Sequence, residues 1–203
     1  ITVSGNAVVA NIYASGEGYS GSTKYEGTKA NAYLDGNVTI NMEGGTVTGN
    51  VYGGGKGIAA EGYEQCARVT KDSKVEVNIA GGIVKGNVYG GGDVADVLGS
   101  ASVALSGGTV QGKVFGGGKV SDVEGSTSVT LSGATVQGNL YGGGEEGTVK
   151  GSTTVNVQNG TVNSSVYGGA YGKAGEVFVL GGSTVNMTGG WVRGNVYGGS
   201  EFS

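Results

Sequence analysis

A seven-residue stretch, Gly-Asn-Leu-Tyr-Gly-Gly-Gly at 138–144, recurs in close copies along the whole chain. Measured between their aromatic residues, successive copies are 26 to 39 residues apart, and three consecutive steps are 26 residues. A repeat of this length predicts a solenoid, because each unit can bury its apolar side chains only by stacking on its neighbours. The aromatic residues of the copies are Tyr52, Tyr89, Phe115, Tyr141, Tyr167 and Tyr197, and a degenerate copy contains Tyr13.

Each repeat contains three short segments with strand character, separated by turn residues. In one repeat the first segment includes Val103 and Leu105, the second includes Val110, and the third includes Val114 beside the aromatic residue. Alternation of apolar and polar residues with a period of two predicts strands with one buried face. We therefore predict an all-β fold, a right-handed parallel β-helix (β-solenoid) with about 26 residues per three-strand coil, whose coils stack about 4.8 Å apart. The left-handed hexapeptide type would need a stricter six-residue pattern.

The aromatic residue of each repeat directly follows a buried aliphatic residue, so the two side chains should point to opposite faces of the strand. This predicts a structural ladder of aromatic rings on the outside of the rod, each ring stacked on its neighbours. The residue two positions before the ring is often asparagine, which tolerates the left-handed backbone of a corner and can hydrogen-bond along the axis. These asparagines are Asn50, Asn87, Asn139 and Asn195.

Composition argues against several classes of function. The 203 residues carry a net charge of −4, contain no His, and include 12 dispersed basic residues, so a nucleic-acid partner is not expected. No apolar run has the length of a membrane span, and we predict no membrane insertion by this segment. The 47 glycines fall in doublets and triplets between strand-like runs, which is typical of turns. We interpret 1–203 as a single solenoid domain and a fragment of a longer protein.

Extra residues enter at one corner of the coil, the corner that follows the glycine run. Insertions near 15–35 and 55–74 add 13 and 11 residues to neighbouring coils, so they should project side by side, and the last coil gains four. If the chain binds a ligand, the tyrosines of the two large insertions would be apolar platforms and their charged residues polar partners. The predicted ligand-binding residues are Tyr19, Tyr25, Tyr33, Tyr63, Glu61, Glu64 and Arg68.

Two alternatives stay open at these insertions. The tyrosines either contact a ligand or pack the insertions onto the rod. Cys66, in the second insertion, is either a buried small apolar residue or an exposed thiol.

Catalytic and metal-binding patterns are absent from the predicted strand faces. No His and no pair of carboxylates lies there, so the sequence predicts no catalytic residue, no cofactor and no enzyme activity. Gly-Gly-Gly-Asp at 90–93 has part of a calcium-binding nonapeptide, but equivalent positions carry Lys56, Lys119 and Glu145. No metal site is predicted.

The repeat Gly-Gly-Thr-Val-x-Gly-Asn-Val-Tyr-Gly-Gly-Gly, as at 44–55, resembles the glycine-rich parallel β-helix repeats of large bacterial surface proteins and adhesins. The resemblance covers nearly the whole chain. It implies an extracellular, cell-surface protein in which the solenoid is a non-enzymatic stalk or adhesive rod, with a host or microbial glycan or a surface protein as its partner. The alternatives are a purely structural spacer of a giant surface protein and a carbohydrate-processing β-helix. Exposed strand edges at both ends would favour end-to-end self-association.

Overall fold

The computed structural model describes residues 1–18, 33–59, 66–172 and 179–202. These residues form parallel strands and contain no helix. In the regular coils, equivalent residues are 26 positions apart, as Val103, Val129 and Val155 are in one column. The predicted all-β fold, a β-solenoid of parallel strands, is confirmed.

The strands of the described residues belong to two sheets of 12 and 7 strands. The first strands of the coils are β1 (Thr2–Val3), β4 (Val38–Met42), β7 (Lys74–Ile79), β10 (Ser100–Leu105), β13 (Thr127–Val136), β15 (Thr153–Val162) and β17 (Ser183–Met187). The second strands extend the same sheet and are β2 (Val8–Val9), β5 (Thr46–Val47), β8 (Ile83–Val84), β11 (Thr109–Val110) and β18 (Trp191–Val192). The third strands form the separate sheet and are β3 (Ile12–Tyr13), β6 (Val51–Tyr52), β9 (Val88–Tyr89), β12 (Val114–Phe115), β14 (Leu140–Tyr141), β16 (Val166–Tyr167) and β19 (Val196–Tyr197).

Aliphatic columns fill the inside of the rod. Each inward position of the three strands repeats from coil to coil, so that Leu105, for example, packs in line with Ile79 and Leu131. Side chains in the middle coils are fully buried, and each contributes about 1.5–3 kcal/mol before the loss of conformational entropy. At the last coil the columns reach the end of the stack, and Met187 and Val196 are exposed.

A fourth column, which the sequence analysis did not predict, adds a short side to each coil. Its members pair through single parallel bridges and bury a second aliphatic cluster with Val75 and Ala101. They are Leu34, Val69, Val97, Val123, Val149 and Val179. Because the column stands between the glycine run and the first strand, the two large insertions enter just before Leu34 and Val69.

Left-handed backbone is found at glycine rather than at asparagine. The turn between the first and second strands uses Gly82 (φ 79°) and Gly108 (φ 75°), a region that residues with a Cβ rarely adopt. The prediction of left-handed asparagines at the third corner is wrong: within the described ranges, only Ala67 and Asp72 combine a side chain with positive φ.

The aromatic rings form the predicted stack. Neighbouring centroids in the row from Tyr13 to Tyr197 are 4.8–5.0 Å apart, and the ring planes are within 15° of parallel. The prediction of an outside ladder is wrong for the middle coils, because Tyr52, Tyr89, Phe115 and Tyr141 are at most 2% exposed. The rings form a cluster separate from the aliphatic core. Residues that follow a glycine run contact two of them from outside: Tyr171 packs edge-on against Tyr141 at 5.8 Å, and Glu145 accepts a hydrogen bond from Tyr89.

The asparagines two positions before Tyr52, Tyr89 and Tyr141 hydrogen-bond in two directions. The Oδ1 of Asn50 accepts the backbone N–H of Asn87 at 2.7 Å in the next coil, which confirms bonding along the axis. Its Nδ2 donates to the Tyr52 hydroxyl at 3.0 Å in the same coil. Where the ring is Phe115 and has no hydroxyl, the asparagine is replaced by Lys113. The Asn-x-Tyr spacing therefore gives the buried tyrosine hydroxyl a hydrogen-bond donor in its own coil.

Carboxylates complete the hydrogen bonding of the two innermost phenols. The Tyr89 hydroxyl donates to Glu145 at 2.6 Å, and the Tyr141 hydroxyl donates to Glu201. Burial raises the pKa of both tyrosines above its ordinary value, and the hydrogen bonds to the carboxylates raise the pKa further. The buried ladder thus holds its tyrosines in the neutral form.

Candidate ligand site at the insertion corner

The two large insertions contact each other where they leave the rod. The Ser15 hydroxyl donates to the carbonyl oxygen of Ala67 at 3.1 Å, and a Cβ placed on Gly18 would lie 3.1 Å from the Cβ of Cys66. Cys66 is 1% exposed, so the interpretation as a buried small apolar residue is confirmed. The bases of the insertions therefore lie side by side, as their places in neighbouring coils predicted.

Two of the seven predicted ligand-binding residues lie within the described residues, and the structure brings them together. Tyr33 and Arg68 line one open cleft of about 200 Å³, together with Thr70 and Leu98. The Tyr33 side chain is 60% exposed, which favours an interpretation as a contact surface over one as packing. The other five, Tyr19, Tyr25, Tyr63, Glu61 and Glu64, lie outside the described residues.

Tyr33 and Arg68 belong to the same column of the solenoid, just before the fourth aliphatic column. The backbone N–H of Leu34 donates to the carbonyl oxygen of Arg68 at 2.8 Å, and that of Val69 donates to the carbonyl oxygen of Asp96 at 3.2 Å. The column continues through Asp96 to Asp122 and Thr148. The sequence alone did not connect Tyr33 and Arg68 with this column, because the insertions obscure the alignment of the earlier coils.

Arg68 is paired but keeps one unused donor. Its Nη2 donates to Asp96 Oδ2 at 2.7 Å, and both side chains are 23% exposed. Asp96 is held in place because its Oδ1 accepts the backbone N–H of Asp122 at 2.9 Å. Among the residues that the structure describes, the Nε of Arg68 is buried and has no hydrogen-bond partner, which is unusual for a buried donor.

A turn specific to this coil shapes the wall beside Arg68. Six positions separate Val69 from Val75, whereas the equivalent Val97 and Ala101 are four apart. The two extra residues form a turn in which Asp72 has φ 68°. The turn is fixed by the Thr70 hydroxyl, which donates to Asp35 Oδ1 at 2.7 Å.

Three open clefts follow one another around this corner. The cleft at Tyr33 shares Leu98 with a second cleft of about 410 Å³, and the second shares Lys74 and Ser100 with a third of about 270 Å³. The third cleft ends at Thr154, on the outward face of the first strands. We call this succession, from Tyr33 to Thr154, the corner groove. The sequence signal for it was the length of the insertions, which does not reveal the groove itself.

Three searches for other functional features gave no match. Within residues 1–18, 33–59, 66–172 and 179–202, no three His, Cys, Asp or Glu side chains are grouped so that they could hold a metal ion. In the same part of the chain, no helix has the length and apolar character needed to cross a membrane. Comparison with known proteins finds no matching family model and no significantly similar characterised protein or solved structure.

Proposed function

We propose that the chain is a non-enzymatic segment of an extracellular bacterial surface protein, a rigid rod that presents its insertion corner to a glycan or protein ligand. The observation that carries this proposal is the exposed Tyr33 ring beside Arg68, at the base of two insertions that contact each other. A spacer would need only the regular coils, which stack on each other in a constant 26-residue register without insertions. The resemblance of the repeat to those of bacterial surface proteins supports the cell-surface location.

Binding of the whole chain to printed glycans and to immobilised surface proteins tests this proposal. We expect saturable binding to at least one glycan or protein. A variant with both insertions shortened to the 26-residue spacing should keep its fold and lose the binding. If the whole chain binds nothing in either format, the rod is better explained as a structural spacer.

A further inference from the structure

The corner groove has a balanced charge although charged residues line it. Among the described residues, three basic and three acidic side chains contribute to its walls: Arg68, Lys71, Lys74, Asp72, Glu76 and Glu124. The guanidinium of Arg68 is further neutralised by Asp96 at 2.7 Å. Recognition of an anionic ligand uses an excess of basic groups, and the described lining of this groove has no such excess. Its charge favours a neutral ligand.

Hydroxyl groups contribute to the polar surface of the groove. Ser100, Ser102, Ser128 and Thr154 line its third cleft. A hydroxyl can both donate and accept a hydrogen bond, and the Ser102 hydroxyl, which donates to the carbonyl oxygen of Val75 at 3.3 Å, still has lone pairs that can accept one. Near the other end, the Arg68 side chain is 23% exposed, and its guanidinium has N–H donors besides the one bound to Asp96. Such a mixed set of donors and acceptors matches a ligand that is itself rich in hydroxyl groups.

The Tyr33 ring adds an apolar surface to the groove. The three linked clefts make the groove long, which favours an extended ligand. Tyr33 is 60% exposed, and the apolar face of a sugar ring can stack on such an aromatic surface. The three clefts share residues and hold about 200, 410 and 270 Å³ in sequence. An open groove of linked clefts fits a chain of small rings, whereas a compact small molecule usually binds in one enclosed pocket.

From these observations we propose that the corner groove binds a neutral oligosaccharide, with one sugar ring stacked on Tyr33 and the following rings along the serine and threonine side chains. The proposal rests on the proposed function, because it names the ligand class of the same corner. It assigns Arg68 a role as hydrogen-bond donor to a sugar oxygen rather than as a charge.

The test uses the whole chain on an array of neutral hexose and N-acetylhexosamine oligosaccharides, printed beside sialylated, uronate-containing and sulfated ones. The strongest binder is then titrated by calorimetry against four variants. We expect Tyr33→Ala and the groove-filling Ser102→Tyr each to weaken binding by at least about tenfold, because they remove the platform or block the path. Trp191→Ala removes an equally exposed aromatic side chain, 61% against 60%, and Ala104→Tyr adds the same ring to β10 outside the groove; both should bind within about twofold of the unchanged chain.

The possible outcomes separate this inference from the proposed function. Binding confined to the acidic glycans, or binding that neither Tyr33→Ala nor Ser102→Tyr weakens, would overturn the inference while the adhesive function stands. An array without signal, together with binding to an immobilised surface protein, would have the same meaning. An absence of binding in both formats would reject the proposed function as well. Circular dichroism of each variant confirms that it is folded.

Discussion

The regular coils at 97–172 and the insertion corner differ in how their polar groups find partners. In the regular coils the partner is the equivalent position one coil away: the Oδ1 of Asn139 accepts the backbone N–H of Ser165, and the Oδ1 of Asp122 accepts that of Thr148. At the corner, Ala67 and Asp72 have positive φ, and the insertions break the 26-residue spacing. A buried polar atom without a partner among the described residues occurs in both regions, at Arg68 Nε in the corner and at Asn163 Oδ1 in the regular coils. Translational repetition offers a residue a partner one coil away, so a site for something else is expected where the repetition is interrupted.

The apolar side chains show the same contrast. The rings of the ladder are buried between parallel rings 4.8–5.0 Å away, whereas Tyr33 stands at the cleft with most of its surface in solvent. Burial of the first set contributes to stability. Exposure of the second provides contact area for a ligand.

The largest effect on stability is expected from the middle of the ladder. Phe115→Ala should lower the free energy of unfolding by about 3–5 kcal/mol, because it leaves a cavity between two stacked rings. Tyr33→Ala should change it by less than about 0.5 kcal/mol, because that ring is exposed. Guanidinium-induced unfolding followed by circular dichroism measures both changes. Equal losses for the two variants would remove the distinction between a structural ladder and a contact residue.

A double-mutant cycle tests whether the ladder is cooperative. Phe115 and Tyr141 stack at 4.9 Å, so the losses from Phe115→Ala and Tyr141→Ala should be coupled by about 0.5–1.5 kcal/mol. Strictly additive losses would mean that each ring is stabilised by its burial and not by its neighbour.

A smaller loss is expected where a side chain would intrude on the next coil. A Cβ on Gly142 would lie 2.2 Å from the carbonyl oxygen of Gly168, whereas a Cβ on Gly199 would meet nothing within 4 Å. Gly142→Ala should therefore destabilise the fold by about 1–3 kcal/mol, and the matched Gly199→Ala should leave the melting temperature nearly unchanged. If Gly142→Ala has the same melting temperature as the unchanged chain, close stacking of the glycine runs is not required for stability.

Alkaline pH should weaken the regular coils through their tyrosines. The pKa values of Tyr52, Tyr89 and Tyr141 are raised in the fold, chiefly by burial, so the folded state holds protons that the unfolded state releases near pH 10. Stability should be constant below about pH 10 and fall above it. Unfolding midpoints in guanidinium at successive pH values measure the fall.

Lysines contribute in the same direction, so a variant is needed to assign the effect. Hydrogen bonds to carboxylates raise the pKa of Lys56, Lys119 and Lys150, and their stabilising effect also disappears at high pH. The double variant Tyr89→Phe/Tyr141→Phe should show a shallower decline than the unchanged chain. An identical decline would assign the pH dependence to the lysines.

The parts that the sequence predicted are those with a constant spacing. Alternation and period predict the columns of Val103, Leu105 and Val110 and the stacked rings. The reason is that residues 26 positions apart occupy equivalent places in neighbouring coils. The column of Val97 and Val123 has the same period, but a single apolar residue per coil is too little for a strand pattern. Burial of the rings could not be predicted, because alternation says which side a ring faces and not what lies over that side.

The sequence indicated which corner of the coil holds the candidate site, but not how the residues of that corner are arranged. Unequal insertion lengths marked the corner, yet the column from Tyr33 through Arg68 to Asp96 joins residues separated by 35 and 28 positions. No fixed period relates them, and the pairing of Arg68 with Asp96 depends on a register that only the fold reveals. The unequal insertion lengths suggested a site at this corner. Because they also remove the constant spacing, the contacts within the site could not be predicted from the sequence.

Shortening both insertions to the 26-residue spacing should have the smallest effect on stability and the largest on binding. The inner columns and the ladder do not need the insertions, since the coils from 97 to 172 stack without them. We expect the melting temperature to fall by only a few degrees, which corresponds to about 1 kcal/mol in a chain of this size, while the affinity for any ligand of the unchanged chain is lost. Variants with only one insertion shortened are the control. They show whether each insertion contributes to binding by itself or only together with the other, since the Ser15 hydroxyl and the Ala67 carbonyl oxygen link their bases. If the doubly shortened rod is folded and binds as tightly as before, the insertions are not part of the site, and the outward face of the first strands becomes the next surface to test.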